Sequence, residues 1–252
     1  MRSRTVLMLG LLVLAMGLLA AADFWEKKPY AKWSDGEARQ LITKSPWCGV
    51  YEWSQPYYSE RVEKMARVSE RDLKTGGTAS SHTKKDEELK EQIGFIRVML
   101  YSARPVRQAY AALAAKGDAA KLEKLKDFAE GDFGDEITVA WVFEPKVKGK
   151  PPASDLDAEL LALTPAELAK DTFLVTDTGR KVALKDYIPP TATGSGAKFI
   201  FPRNLPDGTP LLTGSEKTLA FQTKRLQTKQ YPMVLEVVFK VADFGFNGTP
   251  EY

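Results

Sequence analysis

The side chains able to do chemistry in this sequence are few and poorly paired. There is one cysteine, Cys48, and one histidine, His82. A thiolate nucleophile needs a nearby base or a positive field. His82 ends the stretch Gly76-Gly77-Thr78-Ala79-Ser80-Ser81-His82, whose loop composition holds a side chain poorly, so a Cys–His pair is not expected. Cys48 follows Trp47 and precedes a predicted strand, the setting of a small buried apolar side chain; an intermolecular disulfide and a reactive thiol are the alternatives. Ser81-His82-Thr83-Lys84 and Ser195-Gly196-Ala197-Lys198 share the spacing that sets a lysine beside the nucleophile of serine acyl-enzymes. Both fall in loop or strand context, and no partner motif follows either.

Acids offer a second kind of chemistry. Asp127, Glu130, Asp132, Asp135 and Glu136 crowd one segment, and hard oxygens near glycines can hold Ca²⁺, but the spacing matches no EF-hand loop. A solvated helix end is the simpler reading. The triplet Asp132-Phe133-Gly134 imitates a kinase metal-binding motif without the glycine-rich and catalytic loops that give it meaning. Two carboxylates ~5 to 9.5 Å apart would make a glycosidase, yet the sequence singles out no such pair. No metal or other cofactor is expected. Asn247-Gly248-Thr249 is a sequon, relevant where the host glycosylates exported proteins.

Binding is the third kind. Aromatic residues crowd the region before residue 60, and Trp25, Tyr30, Trp33, Trp53, Tyr57 and Tyr58 form a candidate surface for a sugar or polymer, because such rings combine apolar faces with polar handles. The same rings would equally serve to pin an N-terminal arm into the core. Both readings stand at this point.

The elements that must position these residues are legible from pattern. Ser34-Asp35-Gly36-Glu37 has capping-box spacing ahead of Ala38, Leu41 and Ile42, predicting a short helix that stops before Pro46. A strand is predicted over residues 49–54, a polar loop over 75–88, and a strand covered on both faces over 95–101. Arg104-Pro105-Val106 opens a helix closed at Gly117, and Asp118 caps a second one reaching Gly131, which together make a helical hairpin. Residues 137–143 predict a buried strand, and the Pro/Gly/Lys-rich 146–152 marks a sub-boundary. Thr164-Pro165-Ala166-Glu167 is a second capping box. Strands are then predicted at 173–176, 181–187, 198–201, 217–223 and 234–241, the last with Leu235, Val237, Phe239 and Val241 on one face. The expected class is α+β: a mainly antiparallel sandwich-like or barrel-like β core with an inserted helical hairpin and short capping helices.

Arg2 and Arg4, the apolar run from Val6 to Leu19 and Ala20-Ala21-Ala22 read as a signal peptide cleaved after Ala22. The run is shorter than the ~20 residues that span a bilayer, which favours cleavage over an uncleaved anchor and leaves no membrane span in the mature chain. The expected product is a periplasmic or secreted domain of residues 23–252. Loss of Arg2 and Arg4 takes the formal net charge from +3 to +1. Nucleic-acid binders draw affinity from clustered basic excess, so nucleic acid is excluded as a partner.

Several strings are distinctive together: Trp25-Glu26-Lys27-Lys28-Pro29-Tyr30 with Trp33-Ser34, Ser45-Pro46-Trp47, Ala103-Arg104-Pro105-Val106-Arg107-Gln108-Ala109, Phe199-Ile200-Phe201-Pro202-Arg203, and Phe246-Asn247-Gly248-Thr249-Pro250-Glu251-Tyr252. With them the chain resembles a family of uncharacterised exported proteins of soil-type bacteria. The resemblance implies a bacterial envelope setting and one recurring unit across the Pro-rich linker, and it carries no assigned activity or active site. The expectation is therefore a non-enzymatic binding or structural module of the envelope, whose partner is another envelope protein or a polysaccharide. The alternative is a carboxylate-based hydrolase acting on a polysaccharide.

Overall fold

The computed structural model describes residues 24–56, 90–146, 153–191, 196–224 and 235–252. The leader, Tyr57, Tyr58, the polar loop with His82 and Ser81, Ser195 and most of the Pro-rich linker lie outside them.

Two antiparallel sheets build the core. The larger takes β1 (Cys48–Pro56), β2 (Lys90–Leu100), β3 (Glu136–Pro145), β7 (Ala197–Pro202) and β6 (Asp186–Ile188) in the order β1-β2-β3-β7-β6. The smaller orders β5 (Lys181–Ala183), β4 (Thr172–Thr176), β8 (Thr218–Thr223) and β9 (Leu235–Lys240) as β5-β4-β8-β9. A short hairpin of β10 (Gly245–Phe246) and β11 (Thr249–Pro250) precedes the end of the chain. The fold is thus mixed α+β with a sandwich-like core, and the sheets do not close into a barrel.

Strand alternation decides how the sheets meet. Phe199 and Phe201 of β7 point at Phe221 of β8, with ring centroids 5.3 and 6.1 Å apart. Val139 pairs with Phe199 and Leu100 with Val139, so β2 and β3 send the same parity inward. At the β1–β9 side the sheets approach so closely that a Cβ built at Gly49 would collide with Val237. That contact explains the glycine. In β9 burial alternates strictly, with Leu235, Val237 and Phe239 inside and Val238 half exposed.

Helices cover part of the opposite face of the larger sheet, on which Val50 and Phe95 stay exposed. Met99, of the outward parity, accepts a contact from the Tyr110 hydroxyl on α3 (Arg104–Ala115). The short α1 (Phe24–Lys27) and α2 (Asp35–Lys44) precede β1. α2 starts with the expected capping box of Ser34 and Glu37 and buries Ala38 and Leu41. The predicted hairpin forms, but its second arm breaks at Leu125 into α4 (Ala119–Lys124) and α5 (Lys126–Glu130). Asp118 caps the first piece through the N–H groups of Ala120 and Lys121. Past the linker come α6 (Ala153–Ala162), for which the pattern gave no signal, and α7 (Pro165–Leu168), which carries the second capping box.

The predicted strand over 181–187 is two strands. β5 pairs with β4 in the smaller sheet and β6 with β7 in the larger. The switch falls between Leu184, whose N–H donates to Thr172, and Lys185, whose N–H donates to Ile200. One core cluster runs from Trp25 to Phe246 and draws on both sides of the linker. Among the described residues no helix is long and apolar enough to cross a membrane.

Candidate functional site

The aromatic residues that could form a surface are mostly inside. Trp25 is 7 % exposed and Trp33 8 %; Trp25 meets Phe24 and Trp47 edge-on at 5.1 and 6.0 Å, and the Trp33 indole N–H donates to the Lys28 carbonyl at 2.8 Å. Trp53 is buried against the edge of Phe143. For these three the surface reading is corrected to docking: each ring gains more by leaving water than by waiting in it for a ligand. Tyr30 alone of the described candidates keeps a polar handle at the surface. Its hydroxyl donates to Glu130 Oε1 at 3.0 Å, and burial, reinforced by that carboxylate, pushes its pKa up to about 12. Cys48 is half-buried, and burial pushes its thiol up to about 11 despite the nearby Arg97 guanidinium, which suits packing rather than nucleophilic attack.

The acidic segment is likewise spent locally. Asp132 Oδ1 accepts from the Gly134 N–H at 2.9 Å, and Glu136 accepts from Lys185 Nζ at 2.6 Å. Among the described residues no group of three or more His, Cys, Asp or Glu side chains is gathered as a metal ion would need.

What the fold does assemble is a polar cavity of about 480 Å³. It lies where the N-terminus of α3, the loop after α5, the end of β7 and the tail after β11 converge, and Arg104, Arg107 and Arg203 line it together with Glu130, Asp132 and Glu251. Arg107 is the unusual member. It falls on the stripe Ala103, Arg107, Ala111, Ala115, the others being apolar and buried, and is itself only 3 % exposed. Its Nε donates to the Ser102 carbonyl at 3.0 Å and its Nη1 to the Phe128 carbonyl at 2.6 Å, while the guanidinium lies 4.6 Å from the Phe133 ring centroid. These partners are neutral. Burial accordingly lowers the Arg107 pKa from its ordinary value, with Glu251 and Asp132 acting the other way and Arg104 adding to the fall.

The other two arginines hold the tail. Arg104 Nη2 pairs with Glu251 Oε1 at 2.9 Å, and the Arg104 backbone N–H donates to Glu251 Oε2 at 3.2 Å. Ala103, at the N-cap of α3, has no capping side chain, so Glu251 supplies the carboxylate that the helix terminus favours. The Trp47 indole N–H donates to the Glu251 carbonyl at 2.7 Å. Arg203 donates to the Tyr252 and Gly134 carbonyls at 2.9 and 3.1 Å and covers the Tyr252 ring at 4.6 Å. Pro250 and Tyr252 also line an adjoining open groove of about 980 Å³, floored by Leu212, Val241 and the glycines 214, 245 and 248.

Residues from every distinctive string therefore meet here: Tyr30 through Glu130, Trp47 through Glu251, Arg104 and Arg107, Arg203, and the tail itself. The arginines lie within those strings, but no spacing rule joins residues so far apart in sequence into one site. The available signal was a charged residue at 107 in step with alanines at 103, 111 and 115. No family model, curated protein or solved structure matches the chain, so the chemistry of the site rests on its own geometry.

Proposed function

We propose that this chain is an exported, non-enzymatic module that binds a component of the bacterial envelope, another envelope protein or a polysaccharide, through the cavity lined by its tail. The observation that carries this reading is the buried Arg107 guanidinium, held by carbonyls and a ring beside a cavity instead of by a carboxylate. A buried charge without a paired acid is a poor device for stability and a good one for recognition.

The hydrolase alternative is less well supported. A glycosidase needs one acid held protonated near neutrality and a second facing it. The acids of the cavity are committed to other work: Glu251 to Arg104 and the helix end, Glu130 to Tyr30, Asp132 to a turn. The carboxyl raised by burial, Glu159 on α6, is not among the residues lining the cavity.

The test has two parts. Fractionation of producing cells is expected to recover the chain outside the cytoplasm with Asp23 as its first residue. The recovered protein is expected to co-sediment saturably with isolated envelope material, and Arg107→Gln to release it. An unprocessed cytoplasmic chain, or one that stays in the supernatant with every envelope fraction, overturns the proposal.

A further inference from the structure

The cavity's chemistry points more narrowly than to binding alone, and the following rests on the reading above. Two of the three guanidinium nitrogens of Arg107 are used by protein carbonyls, Nε by Ser102 and Nη1 by Phe128. Among the described residues Nη2 makes no hydrogen bond, and Arg107 lines the cavity. Arg104 Nε, in the same lining, is buried without a hydrogen-bond partner. A polar cavity with an unspent donor on a rigidly held guanidinium is built for an oxyanion.

Charge selects which oxyanion. Glu251 already occupies Arg104 and the α3 terminus at 2.9 and 3.2 Å, and Asp132 and Glu130 line the same cavity. These negative neighbours offset most of the arginine charge, so a dianion would meet more repulsion than a monoanion. The Arg107 guanidinium lies 4.6 Å from the Phe133 ring centroid, and its planar fork of donors suits a planar acceptor. We propose that the cavity is a binding site for a ligand carrying a single carboxylate, with Arg107 Nη2 as the donor that reads it. The same chemistry is presented by a uronic acid of a polysaccharide and by the C-terminus of a peptide.

The test is titration of the folded protein with glucuronate, N-acetylalanine, glucose and inorganic phosphate, followed by the Arg107 Nε–H resonance in nitrogen–proton correlation spectra. Expected is a saturable shift of that resonance with glucuronate or N-acetylalanine, with dissociation constants of order millimolar as befits a single-group fragment, and none with glucose. The tighter of the two carboxylates identifies the source. Arg107→Lys, which keeps the charge but loses the planar fork, is expected to weaken binding about tenfold. Tighter binding of phosphate than of either carboxylate overturns the monoanion assignment, and an Arg107 resonance unmoved by every probe overturns the site. Because these readouts use wild-type protein, a misfolded variant does not obscure them. Envelope co-sedimentation that persists when the titration fails would leave the module reading intact and remove only its carboxylate chemistry.

Discussion

Replacing Trp25 by alanine separates a docked arm from a binding platform. The ring is only 7 % exposed and touches Phe24 and Trp47 edge-on. Burial of about 200 Å² for such a side chain at about 25 cal/mol per Å² corresponds to about 5 kcal/mol, an upper figure because unfolded chains already hide part of that area. A loss of about 3–5 kcal/mol is the working expectation. For a domain of this size 1 kcal/mol moves Tm by about 2–4 °C, so W25A should melt about 6–20 °C below wild type by circular dichroism or calorimetry. α1 has four residues, too few to persist on helix propensity, so proteolysis near residue 24 should also quicken. Envelope binding per folded molecule should be unchanged. A Tm within about 2 °C of wild type, or lost binding with unchanged stability, would refute the docking argument.

Four other outcomes are expected. Gly49→Ala drives a methyl group into Val237 and should destabilise by about 1–3 kcal/mol, as overpacked cores do, with relief from G49A/V237A; an unchanged denaturation midpoint would contradict the close sheet contact. Glu251→Ala removes both the ion pair and the cap of α3 and should lower stability by about 1–2 kcal/mol, with hydrogen exchange rising first at the α3 N-terminus; uniform exchange would argue against a capping role. For Glu216, burial raises the carboxyl, but the Thr213 N–H and hydroxyl and the Ser215 hydroxyl outweigh it and hold the group at about 2, against an ordinary 4.5. Its ionised form thus stabilises the fold fully above pH 4.5, and that contribution is lost as pH falls from 4.5 through about 2; E216Q should be less stable at pH 7 and lose less over that window, and parallel curves would disprove it. Cys48, with its thiol raised to about 11 by burial, should react with a disulfide reagent at pH 8 more than about tenfold slower folded than unfolded, whereas equal rates would show an accessible thiolate.

Local rules were readable where one residue type has one structural use. The two capping boxes, Ser34–Glu37 and Thr164–Glu167, stand as their spacing predicts, since a hydroxyl and a carboxylate three residues apart satisfy each other's backbone N–H. The alternation of β9 maps directly onto burial, and the apolar runs of β2 and β3 do so in part, since Phe95 is exposed and Val142 and Phe143 are half-buried. α6 was unreadable because its described portion buries a single large side chain, Leu160, and leaves Leu161 61 % exposed, so no helical stripe shows. The break at Leu184 and Lys185 left one mark, two polar residues in succession at Lys185 and Asp186, after which the buried parity shifts from Val182 and Leu184 to Tyr187. The cavity escaped notice for a different reason. It is made by residues as far apart as Ser102 and Tyr252, and a spacing rule sees only near neighbours. Arg107 could have been suspected, since a charge in register with buried alanines must meet something polar.

The stretch from β5 to β6 hydrogen-bonds first to one sheet and within two residues to the other. Neither layer can peel away without stripping backbone partners from its neighbour through that shared ribbon. The two halves are yoked, and the expected result is a single concerted melting transition, with denaturant midpoints that coincide for a probe placed in either layer.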